Sequence, residues 1–384
     1  MHVKGSIRKP RNAGGTWAYR LDLGVDAAGA RQQKQVSGFP TKRAAQAALN
    51  EALAGHQRGA YVAPSRETVA EFLTMWVDGV KTELAPSGWT NYRNVIHVYV
   101  IPRIGRTRLV HLTPPKLKML YAELLSTGRR DGSALSPRTV QLTHKILHRA
   151  LSDAVKWRLI QSNPADAVRA PKGTRREMTV WTVEEASAFL NATAGDRLYA
   201  LWLVALYVGL RRGELAGLRW KDVDLAGSTL TVAQQRTTAD HQVVISEPKK
   251  SSHRQLILAS ETVAALTAHR RRQVAERLAA GPLWEESGYV FVDDLGRPYH
   301  PQRLRDMFKV ACESAGATPI RLHDLRHTMA TMALQAGLHP KVVQEQLGHS
   351  GIGVTLDVYS HVPQAVHRDA AARVAALFNV ASQE

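Results

Sequence analysis

The chain has 384 residues, of which 44% are hydrophobic and 22% charged, proportions typical of a soluble globular protein with more than one domain. Fifty-one lysines and arginines against 33 acidic residues give a net charge of +18, which favours nucleic acid as a partner, with an anionic membrane surface second. The absence of a long apolar run, of a signal peptide and of any cysteine besides Cys312 argues against a membrane span, an internal disulfide and a cysteine-rich zinc site, so we expect a cytoplasmic protein.

The first segment, residues 1–62, predicts a small β-sheet backed by one helix. Two alternating runs, Thr16–Leu23 and Arg31–Phe39, flank a glycine-rich turn and indicate a β-hairpin. Thr41 can cap the amphipathic helix that follows. Ten basic and three acidic residues give this segment a net charge of +7. Its strands could lie in a DNA groove, or the charge could serve only the solubility of a small domain.

The second segment, residues 66–168, predicts a bundle of about four helices. Thr68 and Glu71 have the spacing of a capping box, and Thr113 and Ser136 each precede a proline suited to the first helical position. After Ser136, apolar residues recur at helical spacing, which predicts a long buried face. The basic stretch 170–177 then indicates an exposed linker that could track phosphates.

The third segment, residues 178–384, begins with a second capping box, Thr182 with Glu185, and is mainly helical. Short strands are predicted between residues 228 and 260, with a strand pair on either side of a turn that carries Lys249 and Lys250. The fold class is therefore a multidomain one, with a small β-sheet plus helix, an all-α bundle, and a mainly α (α+β) domain that contains a small sheet.

Arg211 follows an apolar helix face in the stretch V-G-L-R-R-G-E-L. A buried arginine needs an anionic partner, and the sequence offers two. Glu214, three residues on, could be a structural partner. A phosphate, which the planar guanidinium suits, could be a functional one. Lys249 and Lys250 also have two interpretations. Lysines at a turn are usually only solvated, but a lysine on a hairpin can protonate a leaving group.

His323, Arg326 and His327 lie within one helical turn in the stretch H-D-L-R-H. His323 and Arg326 could contact two oxygens of one phosphate. The spacing of His323 and His327 also suits a metal pair, although Asp324 stands where the zinc-hydrolase pattern needs glutamate. A metal site is the weaker hypothesis.

Tyr359 stands in the polar stretch T-L-D-V-Y-S-H-V, ten residues after His349, whose preceding glycine is predicted to end a helix. A tyrosine of ordinary pKa, about 10, is a poor nucleophile at neutral pH. It becomes useful where cations stabilise its phenolate and a histidine takes its proton. Arginines, a lysine and histidines in this order could also neutralise a pentavalent phosphate without a metal ion.

These motifs closely resemble those of the tyrosine recombinase (phage integrase) family. The stretch G-L-R-R-G-E-L matches the family's first box, the lysine before the strand of Arg254 matches its hairpin lysine, and H-D-L-R matches its second box. Lys250 departs from the pattern, since many members have threonine or glycine there. The positions that match catalytic ones are Arg211, Lys249, His323, Arg326, His349 and Tyr359.

The resemblance implies a function and a domain plan. Residues 1–62 would be an arm-type DNA-binding domain with a three-stranded sheet, residues 66–168 a core-binding domain, and residues 178–384 a catalytic domain with a tail helix. Tyr359 would form a 3′-phosphotyrosyl link to double-stranded DNA, with Arg211, Arg326 and His349 on the phosphate. His323 would be the general base and Lys249 the general acid. Neither ATP nor a metal cofactor would be needed.

Strand exchange in this family requires a homotetramer on DNA, and an excision factor and a DNA-bending protein would be possible partners. The tail helix could pack on its own domain or on a neighbouring protomer. An integrase of a phage or mobile element is the favoured role, because resolvases of the family usually lack the N-terminal arm segment. The alternatives are a chromosome-dimer or plasmid resolvase, a DNA-binding regulator without catalysis, and a metallohydrolase.

Overall fold

A computed structural model of the chain describes residues 4–9, 15–25, 31–57, 66–173, 179–247 and 253–348. The described residues form two compact units, one up to residue 173 and one from residue 179. Within those ranges, no helix is both long and apolar enough to cross a membrane. The second half of the predicted linker 170–177 and the whole predicted tail helix lie outside the described residues.

The N-terminal sheet has three antiparallel strands in the order β1-β2-β3, followed by helix α1. Their bounds are β1 Lys4–Arg8, β2 Trp17–Val25, β3 Arg31–Phe39 and α1 Lys42–Gln57. Thr41 caps α1 as predicted, since its hydroxyl accepts from the Ala44 amide at 3.1 Å. The predicted hairpin is confirmed, whereas β1 is too short and polar to show in the alternation and was expected only from the resemblance.

Helix α1 packs on one face of this sheet and leaves the other polar. Tyr19, Leu21 and Leu49 form the buried core between them. Because successive strand residues point to opposite faces, Arg20 and its cross-strand partners Ser6 and Gln35 lie on the other face, together with Arg8. This second face is polar and basic.

Residues 66–168 form the predicted helical bundle, with five α-helices where about four were expected. The helices are α2 Val69–Gly79, α3 Pro86–Asn94, α4 Ile101–Ile104, α5 Pro114–Thr127 and α6 Pro137–Lys156, with a π-helical turn between α3 and α4. Thr68 and Glu71 form the predicted capping box, and the Ser136 hydroxyl caps α6. Thr113 precedes α5 as expected, but its side chain makes no capping hydrogen bond.

The second unit is mainly helical. Its helices are α7 Val183–Ala192, α8 Tyr199–Tyr207, α9 Arg212–Gly217, α10 Ser260–Ala280, α11 Pro301–Ser314, α12 Asp324–Gln335 and α13 Pro340–Leu347. Helix α8 lies at the centre, with residues 200–206 buried on every side. Rings of Phe189, Trp202 and Phe308 pack against one another there, with centroids 5.5 to 6.4 Å apart.

Two small sheets accompany these helices. The strands are β4 Val223–Asp224, β5 Thr229–Val232, β6 Gln235–Ala239, β7 Gln242–Ser246 and β8 Arg254–Ile257. The predicted strand pair around Lys249 is wrong: β7 pairs with β6, and β8 pairs with β5. Strand β6, with the polar sequence Q-R-T-T-A, has no apolar alternation to reveal it, so β7 lacked its true partner in the prediction.

Candidate active site

Arg211 lies at the start of α9, where a tight turn brings the chain out of the buried helix α8. The turn depends on Gly209, whose φ of +70° is unfavourable for other residues. The Glu214 carboxylate accepts from the Arg211 amide at 2.9 Å and from its Nη1 at 2.8 Å. The structural partner foreseen for Arg211 is therefore present, and 31% of the arginine side chain still faces solvent.

Glu214 is also bound by Arg254, which comes from strand β8. Arg254 Nη2 and Nη1 donate to the two carboxylate oxygens at 2.9 and 3.2 Å. The carboxylate thus lies between two guanidinium groups, and only 2% of its side chain is exposed. Strand β8 and helix α9 are held together at this point by charge-assisted hydrogen bonds.

Arg326 is the most deeply buried of the predicted site residues that the structure describes. It lies in the first turn of α12, and 2% of its surface is exposed. Its Nη1 donates to the Gly209 carbonyl at 2.6 Å, and its Nη2 donates to the Leu347 carbonyl. His323, three residues earlier, stands at the N-cap of the same helix.

The C-terminal end of α13 is bound by three arginines through three successive carbonyls. Arg254 Nε donates to Gln346 at 2.6 Å, Arg211 Nη2 donates to Gly348 at 2.6 Å, and Arg326 donates to the residue between them. The last carbonyls of a helix have no partner within it, and they carry its negative end, so guanidinium groups suit this place. Gly348 ends the helix in the left-handed region, as predicted.

The charges in this cluster are unbalanced. Three guanidinium groups and the carboxylate of Glu214 leave an excess of +2 among four side chains. Burial alone would raise the pKa of Glu214, but the Arg254 hydrogen bond, with smaller effects of Arg211, holds it below its ordinary value. Burial lowers the pKa of Arg326, and the proximity of Arg211 lowers it further. An anion would relieve this repulsion.

His323 favours its neutral form. Desolvation lowers the pKa of His323 first, the neighbouring His327 and Arg326 add to it, Asp324 opposes them, and together they bring the pKa to about 4. The His323 side chain also has solvent-exposed surface, and water there moderates the shift. Its ring lies edge-on to that of His327, with centroids 5.1 Å apart. Among the described residues, no third histidine, cysteine or carboxylate completes a metal-binding group with them.

The structure thus brings Arg211, His323 and Arg326 to one region of the second unit. Lys249, Lys250, His349 and Tyr359 lie outside the described residues. Sequence reasoning gave Arg254 no more than a place in the strand register and did not foresee its contacts with Glu214 and α13. Arg254 is the first residue of β8 and stands between His253 and Gln255, so no local pattern signalled its buried partners.

Comparison with protein families identifies the class. The model of the phage integrase family matches residues 177–365, an arm DNA-binding domain matches residues 6–54, and the N-terminal SAM-like domain of phage integrases matches residues 68–125. An integrase of Streptomyces ambofaciens is 31% identical over 360 residues, which cover 89% of this chain and 88% of the relative. The chain belongs to the phage integrase family and is a tyrosine site-specific recombinase.

Two further proteins extend the comparison. A XerC-like tyrosine recombinase of Caldanaerobacter subterraneus subsp. tengcongensis is 28% identical, with 89% of this chain and 91% of the relative covered. The integrase of the transposon Tn1549, solved in complex with transposon right-end DNA, has the same fold. Its TM-score is 0.68 at 23% identity, over 80% of this chain and 99% of that one.

Proposed function

We propose that this recombinase integrates a phage or other mobile element by cutting and rejoining double-stranded DNA at attachment sites, and that it also excises the element. The Tyr359 hydroxyl attacks the scissile phosphorus, a 3′-phosphotyrosyl bond forms, and the bond to the 5′-oxygen breaks. The energy of the phosphodiester is kept in the covalent link. A 5′-hydroxyl of the partner strand then attacks this link and releases the tyrosine.

Each site residue has a role in this scheme. Arg211 and Arg326 bind the non-bridging oxygens of the phosphate, and His349 donates a further hydrogen bond. His323 takes the proton of the tyrosine, for which it must be neutral. Lys249 gives a proton to the departing 5′-oxygen.

The observation that carries this proposal is the convergence of Arg211 and Arg326 on the end of α13. They come from separate elements, yet they bind neighbouring carbonyls directly before His349. Tyr359 follows ten residues after His349, so even fully extended chain keeps it within roughly 35 Å of that residue. The excess positive charge around Glu214 supports a phosphate as the natural ligand of the two arginines.

The flanking domains would provide DNA recognition. In this proposal residues 1–62 bind arm-type sites through the polar face of the three-stranded sheet. Residues 66–168 bind the core site, and residues 178–384 catalyse strand cleavage and rejoining. Recombination of two duplexes cuts four strands, so four protomers would assemble on the DNA. An excision factor and a DNA-bending protein are candidate accessory partners, and the tail helix after residue 363 is a candidate contact between protomers.

A resolvase with the same chemistry is the second candidate, and the similarity to a XerC-like recombinase favours it. The arm sheet favours the integrase. The deciding test is recombination of two different duplexes, one from each end of the element that carries the gene and its target. An integrase joins them, whereas a resolvase acts only on two identical sites.

Covalent capture tests the chemistry itself. A nicked duplex loses its 5′-hydroxyl fragment after cleavage, so the protein–DNA link accumulates and survives a denaturing gel. We expect a slow-migrating complex with the natural chain and none with Tyr359→Phe, although that variant still shifts the duplex in a native gel. An equal yield of covalent complex from Tyr359→Phe would remove the proposal.

A further inference from the structure

Arg254 uses all three nitrogens of its guanidinium group to join two elements of the second unit. Two of them bind the Glu214 carboxylate on α9, and Nε binds the Gln346 carbonyl at the end of α13. Only 8% of its side chain is exposed. Arg254 therefore links Glu214, which binds Arg211, to the C-terminal end of α13, which directly precedes His349.

We propose that Arg254 is a positioning residue for strand cleavage, which acts through Arg211 and through the end of α13 and does not touch the phosphate. The proposal rests on the roles assigned above to Arg211 and His349. It adds a residue that the phosphate chemistry alone does not require.

The charge that Arg211 can offer to a phosphate depends on what else binds Glu214. Arg211 contacts the Glu214 carboxylate. If no other cation bound this carboxylate, the charges of the two side chains would neutralise each other. Arg254 binds the same two oxygens and so shares the negative charge. Arg211 thereby keeps a larger share of its own charge for a phosphate, while the hydrogen bond from its backbone amide to Glu214 fixes where the side chain begins.

Arg254 also fixes the end of α13. Gly348 packs directly on Arg254, because a Cβ atom at this glycine would lie 2.9 Å from Arg254 Nη1. The glycine also has a φ of +63°, which other residues adopt only with strain. The direction in which the chain leaves α13 toward His349 is therefore set against the guanidinium plane of Arg254.

Lysine cannot replace this arginine. Its ammonium group is a single point of donation, whereas three donor nitrogens at fixed angles are needed to hold both carboxylate oxygens and the Gln346 carbonyl. Arg254→Lys keeps the charge near Glu214 and removes the geometry. It therefore separates positioning from simple neutralisation of a buried carboxylate.

The test is single-turnover cleavage of a nicked attachment-site duplex by the full chain. We expect Arg254→Lys to cleave roughly 10- to 100-fold more slowly at saturating DNA, with a Kd within about twofold of the natural chain, because positioning acts on the chemical step. The matched control is Arg197→Lys. Arg197 makes the same kind of fork with Glu276, at 2.6 and 2.7 Å, but the pair is only partly buried and lies outside the arginine cluster, so we expect Arg197→Lys to cleave normally.

A double variant tests the route of action. Because Arg254 acts partly through Arg211, the loss of rate in Arg211→Ala with Arg254→Lys should be at least about threefold smaller than the product of the two single losses. Full multiplication of the two single losses, or a normal rate for Arg254→Lys, would overturn the inference. Normal cleavage by Arg211→Ala would instead overturn the proposed function, so the two failures are distinguishable.

A second variant covers the case in which Arg254→Lys does not fold at the assay temperature. Gly348→Ala pushes on Arg254 Nη1, which donates to Glu214, but it removes neither charged side chain, and we expect it also to slow cleavage at least 10-fold. Gly316→Ala is its control, because Gly316 has a similar φ of +60° with no atom within 4 Å of the new methyl group. Equal rates for the two glycine variants would contradict the positioning role.

Discussion

Arg211 and Gly348 are 137 residues apart in sequence and are joined by a hydrogen bond of 2.6 Å from the guanidinium group to the carbonyl oxygen. This bond connects the first box of the recombinase to the point where the chain turns toward His349. It makes the geometry of the phosphate-binding arginines depend on the end of α13.

Loss of either phosphate-binding arginine should slow cleavage by about 10²–10³, the usual effect of removing one donor from a developing charge. The two variants should differ in stability. Arg211→Ala leaves Glu214 paired with Arg254, whereas Arg326→Ala leaves two buried carbonyls, of Gly209 and Leu347, without this donor. Each lost partner costs about 1–3 kcal/mol, so Arg326→Ala should melt at a lower temperature.

The control for Arg211 is Arg219→Ala. Arg219 forms the same kind of pair with a carboxylate three residues on, Asp222, at 2.6 Å. Single-turnover cleavage and thermal unfolding of all three variants provide the measurement. A cleavage rate of Arg211→Ala within about threefold of the natural rate would contradict the assignment. So would a melting temperature of Arg326→Ala that is no lower than that of Arg211→Ala.

Cleavage should persist in mildly acidic solution, because the pKa of His323 lies below its ordinary value of 6.5. A general base works in its neutral form, so the rate should fall only as the pH drops through the lowered pKa. We expect cleavage at pH 6 to remain within about twofold of that at pH 7.5. The measurement is the rate of the chemical step between pH 5 and 8.

His323→Gln is the comparison for this profile. It should be slower throughout and should lose the decline on the acid side that His323 causes. A natural chain whose rate halves near pH 6.5 or above, together with an unchanged profile in His323→Gln, would show that another group is the base.

The polar face of the N-terminal sheet should bind DNA through phosphate contacts. Arg8→Gln with Arg20→Gln in the full chain should weaken binding to arm sequences and reduce the slope of log affinity against log salt by about two. Lys42→Gln with Arg43→Gln is the control, because both residues are exposed on α1. Equal slopes for the two double variants would place the arm contacts elsewhere.

The general acid should be Lys249 and not Lys250. A sulfur atom at the 5′-bridging position leaves as a thiolate of pKa about 8.5 and needs no proton, whereas an alkoxide does. Sulfur should therefore rescue cleavage by Lys249→Ala but not by Arg211→Ala, and Lys250→Ala should cleave ordinary DNA with little loss. Rescue of Lys250→Ala, with nearly normal Lys249→Ala, would exchange the two roles.

The features that the sequence predicted well are local ones. The capping boxes at Thr68 and Thr182 each depend on a residue three positions away, so four consecutive residues are enough to predict them. The helical end at Gly348 is similar, since a left-handed cap favours glycine.

The features that could not be predicted depend on distant partners. Arg254 meets Gln346 across 92 residues, and no local pattern encodes that meeting. The pairing of β7 failed for another reason, because its partner β6 is adjacent in sequence but carries a polar sequence that resembles a loop. The resemblance to a family supplied the order of the site residues, whereas only the fold supplied the link between the boxes.

Tyr359 should form a 3′-phosphotyrosyl bond with the cut strand. This is tested by digesting the trapped complex with a protease and a nuclease and locating the nucleotide adduct by mass spectrometry. We expect one modified peptide, with the nucleotide joined through its 3′-phosphate to Tyr359. An adduct on another residue, a 5′-phosphate linkage, or cleaved DNA with no adduct at all would contradict it.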